Sequence, residues 1–109
     1  MTAKPNVITT QHIVATAGVT QTMRDHLDIN ELVLASLTRH LNGDWGDLDP
    51  HDTRANNDAI DNKDRVLSNY PLPEPRQVTI TYGEQAATSF WIITDPGWAT
   101  TTILWPAEY

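Results

Sequence analysis

An α+β domain is predicted, with N-terminal helices packed on a C-terminal antiparallel β-meander of about four strands. Two observations predict it. Apolar residues recur at helical spacing between Val19 and Leu41, the pattern of an amphipathic helix that buries one stripe. After Arg65 the chain turns to β-branched and aromatic runs separated by Pro and Gly turns, which is how short antiparallel strands read. The expected organisation is one domain over residues 1–109, mainly helical over 1–64 and a sheet over 65–109.

Each element has its own signal. Ile8 to Val14 reads as a short strand or an extended lead-in. A helix is expected from about Ala17 to Leu27, where Val19, Met23 and Leu27 fall four apart on one face. Asp28-Ile29-Asn30-Glu31 has the capping-box pattern that opens a second helix. Ile29, Leu32, Val33, Leu37 and Leu41 line its apolar face. Asn42-Gly43 ends it, because glycine readily takes the left-handed conformation found at helix C-termini. Asp49-Pro50 marks a third start, with Asp49 as N-cap and Pro50 at the first helical position. That helix is polar, with only Ala55, Ala59 and Ile60 to bury, and should end near Asn62 at the surface. Strands are expected at Arg65–Tyr70, Val78–Tyr82, Ser89–Thr94 and Thr100–Trp105. The prolines of Pro71-Leu72-Pro73-Glu74-Pro75 hold an extended loop between the first two. Gly83-Glu84 joins the next pair, and Asp95-Pro96-Gly97-Trp98 offers Pro and Gly where a type II turn wants them.

Composition narrows the function classes. Apolar residues are 39% and charged residues 19% of the 109, enough for a modest core in a single domain. No cysteine is present, so disulfides, thiolate nucleophiles and Cys-based zinc sites are excluded. The opening Met1–Pro5 carries no apolar leader and no run approaches a membrane span, which predicts a cytoplasmic protein. The net charge is −7. Binding nucleic acid directly requires clustered Lys and Arg, and the seven here are scattered. Between Asp44 and Asp64 seven aspartates (44, 47, 49, 52, 58, 61 and 64) face only Arg54 and Lys63. The ordinary reading is a solvated loop and helix face. The sharper one is a negative surface that meets a basic partner.

Several blocks resemble a family of small proteins carried on bacterial plasmids, integrative elements and phages. They are Arg39-His40, Gly43-Asp44-Trp45-Gly46-Asp47, Asn57, Arg65-Val66-Leu67-Ser68-Asn69-Tyr70, Trp91-Ile92-Ile93-Thr94, Thr101-Thr102-Ile103-Leu104 and Pro106-Ala107-Glu108-Tyr109. Ile13 to Gly18 is similar to that family's opening segment. The resemblance implies a mobile-element setting and no particular chemistry. The family pattern has an Asp-Arg-Ser turn after its Trp-Ile-Ile-Thr strand. Here Asp95-Pro96-Gly97-Trp98-Ala99 stands instead, so that arginine has no counterpart.

Four candidate sites follow. Helices before a four-stranded antiparallel sheet is the order of elements in barnase-type ribonucleases. RNA cleavage of that kind needs a base, an acid and a cation over the phosphorane. His40 would be base or acid and Arg65 the cation. Ser68, Thr94 and Thr101 would donate to phosphate oxygens. Against this, a His at a helix C-terminus is favoured by the macrodipole alone, Arg65 has many aspartates to pair with, and no strand-final His supplies the acid. Asp44, Asp47, Asp49 and Asp52 fail the EF-hand spacing, and His40, His51 and Asp52 fail a zinc spacing, so no metal or cofactor is expected. Trp91 and Trp105 are expected in strands as core anchors or an aromatic patch. Trp45 and Trp98 fall in loops, where a large ring must pack down or bind something, and Trp98 is expected to be exposed. Finally, glycines on both sides of Trp45 imply a loop with unusual dihedrals, structural or interacting.

The leading expectation is therefore a non-enzymatic accessory protein that binds a basic protein partner through Asp44, Trp45, Asp47, Asp49, Asp52 and Trp98. Anti-CRISPR or anti-restriction inhibition of a host defence complex is its most concrete form. The alternatives are a barnase-like ribonuclease or degenerate relative, and an antitoxin-like or plasmid-maintenance binder. An open sheet edge leaves monomer and homodimer both available.

Overall fold

A computed structural model describes residues 7–80 and 83–109. The architecture is α+β, with helices preceding most of a four-stranded sheet. Strand β1 (His12–Ala15) leads into helices α1 (Ala17–Asp25), α2 (Leu27–Leu41) and α3 (Pro50–Ala59), the last running on into a 3₁₀ turn at Ile60–Asn62. Strands β2 (Val66–Ile80), β3 (Gly83–Thr94) and β4 (Thr100–Leu104) follow, and a second 3₁₀ turn at Pro106–Glu108 closes the chain. The sheet order is β1-β4-β3-β2. Among the described residues no helix is long and apolar enough to cross a membrane.

Two strands differ from the sequence expectation. Arg65–Tyr70 and Val78–Tyr82, expected as separate strands, are both parts of β2, which runs through the prolines. Its pairing with β3 slips between Pro71 (opposite Ser89) and Arg76 (opposite Ala87). Of the extra residues, Leu72 is buried in the core while Pro73, Glu74 and Pro75 are exposed, at an edge where missing amide donors cost the ladder least. Thr81 and Tyr82, the expected end of that strand, lie outside the described residues. The fourth place in the sheet goes to β1, which comes from the half expected to be helical and runs parallel to β4, His12 opposite Thr100 and Ala15 opposite Ile103. The meander is thus three antiparallel strands plus one parallel edge.

The helices hold close to expectation, with a shift at one junction. Thr16 caps α1 by accepting from the Val19 amide. That helix stops at His26, and α2 starts at once, with His26 in the N-cap position and no side-chain cap bond. Asp28, expected as the cap, instead pairs with Arg76 of β2. Leu27, expected on the buried face of α1, is consequently 69% exposed. Asp49 caps α3 as expected, accepting from the Asp52 amide at 2.8 Å with Pro50 in the first turn.

Burial divides into two clusters. The larger lies between α1, α2 and one sheet face and contains Val19, Ile29, Val33, Tyr70, Phe90, Ile92, Ile103 and Trp105. Phe90 sits between Tyr70 and Trp105, the latter edge-on at 6.4 Å. The smaller gathers Ile8, Trp45, Ala59, Val66 and Trp98 beneath α3 and the loops.

Candidate functional site

Helix α2 delivers His40 into the interior because the positions buried along it, Ile29, Val33, Ser36 and His40, recur at helical spacing. The ring is fully buried. Its Nδ1 lies 2.6 Å from Ser68 Oγ and its Nε2 2.8 Å from Thr94 Oγ1. Thr94 Oγ1 is 2.8 Å from Thr101 Oγ1, which donates onward to Thr10 Oγ1 at 2.9 Å. That last bond fixes the rest. Thr101 spends its proton on Thr10 and must accept from Thr94. Thr94 must then accept from the imidazole, so His40 carries its proton on Nε2 and accepts from Ser68 at Nδ1. The chain of donors runs one way, from Ser68 towards the surface at Thr10. Burial pushes the His40 pKa down to about 4, from an ordinary 6.5, so the ring is neutral at physiological pH. Trp45 closes over it edge-on at 5.8 Å.

Four of the five residues expected for a ribonuclease site, His40, Ser68, Thr94 and Thr101, are thus brought together. All four are buried and hydrogen-bonded to one another, an arrangement that satisfies polar groups in a core. Arg65, the fifth, stands apart on the other sheet face. It is exposed, lies over the Tyr109 ring at 5.5 Å and donates to the Tyr109 hydroxyl at 3.2 Å. Tyr109 in turn packs edge-on against Trp91. Among the described residues Arg65 makes no ion pair with the aspartates expected to attract it.

The Gly43–Asp47 loop is a structural clasp. Arg39 holds Asp44 with two hydrogen bonds, Nε to Oδ2 at 2.8 Å and an Nη to Oδ1 at 3.2 Å. That contact keeps the Asp44 carboxyl below the usual carboxylate range. The Arg39 guanidinium also lies 4.9 Å over the Tyr70 ring, whose hydroxyl donates to the Asp44 carbonyl. Trp45 Nε1 donates to Asn57 Oδ1 at 3.0 Å. The loop then runs beside β2. The Asn69 amide donates to Trp45 O, the Asp47 amide to Asn69 O, and the Asn69 side chain to Asp47 O. Gly46 passes so close that a Cβ there would fall 2.1 Å from Asn69 O, and its φ is +75°. Asn56 of α3 completes the clasp by both donating to Leu67 O and accepting from Leu67 N.

Both loop tryptophans are therefore buried, at 5% exposure each, and neither is the surface anchor expected from the sequence. Trp98 was expected to be exposed in its Pro-Gly turn. That turn forms, with the Trp98 amide donating to Asp95 O and φ +83° at Gly97. Trp98 itself then takes φ +63°, which turns its ring down onto the smaller core, where Nε1 donates to Asp64 O.

What remains exposed is the acid. Asp44, Asp47, Asp49, Asp52, Asp58, Asp61 and Asp64 are all at the surface along α3 and its flanking turns. Asp44 pairs with Arg39 and Asp52 with His51; the other five make no ion pair among the described residues. Asp49, His51 and Asp52 bring one ligand atom each within 4.8 Å of one another. Asp49 is already engaged as the α3 cap and Asp52 with His51, so the cluster is accounted for as a helix start. Sequence reasoning missed Thr10 and Asn56. Nothing in their neighbourhood signals them, since Thr10 accepts from Thr101 and Asn56 bonds Leu67, both beyond the reach of local pattern. Comparison with models of known families, with curated proteins and with solved structures gives no match.

Proposed function

We propose that this chain is a non-enzymatic accessory protein of a mobile genetic element that binds a basic protein surface through the acidic face of α3 and its flanking turns. One observation carries the reading. Asp47, Asp49, Asp58, Asp61 and Asp64 are exposed in one stretch without an internal ion pair among the described residues, while four of the five groups expected to do chemistry, His40, Ser68, Thr94 and Thr101, are sealed in the core. Unpaired charge of one sign steers a partner of the other sign and disfavours wrong ones. The mobile-element setting rests on the resemblance of the Gly43–Asp47, Trp91–Thr94 and Thr101–Leu104 blocks. In that setting the concrete form is an inhibitor of a host defence complex, anti-CRISPR or anti-restriction, that occupies a basic nucleic-acid channel.

The test is capture from nuclease-treated host lysate with tagged protein and with a variant carrying Asp47→Lys, Asp58→Lys and Asp61→Lys. These positions leave the Asp49 cap and the Asp44–Arg39 pair intact. The unmodified protein should retain a stoichiometric defence-complex subunit that is released at high salt. The variant should melt no lower than the unmodified protein and retain none. Equal capture by the variant overturns the reading.

A further inference from the structure

The two edges of the sheet are finished differently. On β2 the outward groups of Leu67 are taken by the Asn56 side chain, and those of Asn69 by Trp45 and Asp47 of the clasp. Further along, three prolines and a register slip interrupt that strand. These are the devices by which proteins keep an edge from pairing with another chain. Strand β1 has none of them. Its His12 amide donates to Ala99 O, and the amide of Thr16, the residue after it, to Ile103 O. Backbone groups alternate sides along a strand, so those of Ile13 and Ala15 point away from β4, and among the described residues nothing bonds to them. Ile13 and Val14 are 48% and 46% exposed, on opposite faces of the sheet.

The same segment carries no formal charge of its own. From Val7 to Met23 there is no Asp, Glu, Lys or Arg, in a chain of net charge −7. One carboxylate reaches it, that of Glu108, which accepts from Thr16 Oγ1; β1 itself sets no like charge against its own copy. The register is also self-complementary. In an antiparallel pair, residues whose N–H and C=O both face the partner exchange two bonds, and such positions alternate with non-bonded pairs. Centred on Val14, Ile13 of one copy faces Ala15 of the other and the reverse holds by symmetry. All four outward donors and acceptors on each side are then used. Val14 meets its own copy across the non-bonded position, and Ile13 packs beside the small Ala15.

We infer that β1 is a homodimer interface. Two copies pair antiparallel about Val14 through a two-fold axis, which joins the sheets into one of eight strands and places both helical layers on the same side. The contact involves few residues a side, small against the roughly 1,200–2,000 Å² of standard interfaces, so monomer and dimer exchange with concentration. The acidic α3 face stays outside the pairing edge, and the inference holds whether or not that face binds a partner.

Sedimentation velocity over a concentration series tests it. The unmodified protein should shift from monomer to dimer as concentration rises. Ile13→Pro removes an amide that the β4 ladder does not use and should raise the dissociation constant at least tenfold, with an unchanged circular dichroism spectrum. Val14→Lys and Val14→Asp, at a half-exposed position that each copy presents to itself, should each be monomeric alone and form a heterodimer when mixed. A monomer at every concentration overturns the inference. So does a dimer that survives Val14→Lys, or a Val14→Lys and Val14→Asp mixture that stays monomeric.

Discussion

At the scale of single residues, His40 shows how a polar core group couples stability to pH. The unfolded chain protonates its imidazole near 6.5, the folded protein only near 4. Between those values the unfolded state binds more protons, so stability is complete above about pH 6.5 and declines as pH falls towards 4. The shift corresponds to about 3 kcal/mol. Protonating Nδ1 would also force the Ser68 hydroxyl to turn round. Denaturant unfolding at a series of pH values should display this slope, and His40→Gln should flatten it between pH 6.5 and 4. An identical slope in the variant would place the proton uptake elsewhere. Gly46 supplies a second prediction. Gly46→Ala meets both the left-handed φ and the Asn69 carbonyl at 2.1 Å, so a loss of at least about 2 kcal/mol is expected in thermal or chemical unfolding. Gly97→Ala, with φ +83° but open space around it, should cost about 1 kcal/mol and serves as the comparison.

Elements were legible in the sequence where the signal was local. Asp49-Pro50 named the start of α3, and its side-chain bond to the Asp52 amide is present at 2.8 Å. Asp49→Ala should therefore lower stability by about 1 kcal/mol, measured as a shift of the denaturant midpoint, and Asp49→Ser should recover most of it. No recovery would mean the carboxylate acts in some other way. The same kind of signal misled at Asp28-Ile29-Asn30-Glu31, which has the letters of a capping box. Asp28 was claimed by Arg76, distant in sequence, and tertiary contact overrode local pattern. Prolines misled likewise. They announced a loop between two strands, yet β2 runs on through them because an edge strand can bulge where donors are missing. Trp98 was placed in the right turn and given the wrong exposure. Turn chemistry specifies the backbone, while the direction of the ring depends on a cavity built by Ile8, Trp45 and Val66. The candidate site shared this fate. His40, Ser68, Thr94 and Thr101 were named together, but their burial depends on Trp45 and Thr10, which periodicity does not reach.

At the scale of the whole molecule, charge is distributed against stability. Helix α3 has no basic residue in its last turn, while Asp58 and Asp61 stand at that C-terminal end, where the macrodipole disfavours negative charge. Neither makes an ion pair among the described residues. A fold tuned for stability alone would place cations there, so these aspartates are the kind of locally unfavourable feature that a binding surface retains. The net charge of −7 adds a general self-repulsion. Neutralising the pair should therefore stabilise the protein. Asp58→Asn and Asp61→Asn are each expected to add about 0.5 kcal/mol at low ionic strength, and the gain should shrink in 1 M salt, where the Debye length falls to about 3 Å. Chemical unfolding at two salt concentrations measures both. If either substitution destabilises, that aspartate has a structural partner, and the acidic face of α3 then serves the fold. A gain in stability together with weaker partner capture would separate the two roles, and it would show that these charges are kept for binding at a cost to the domain that carries them.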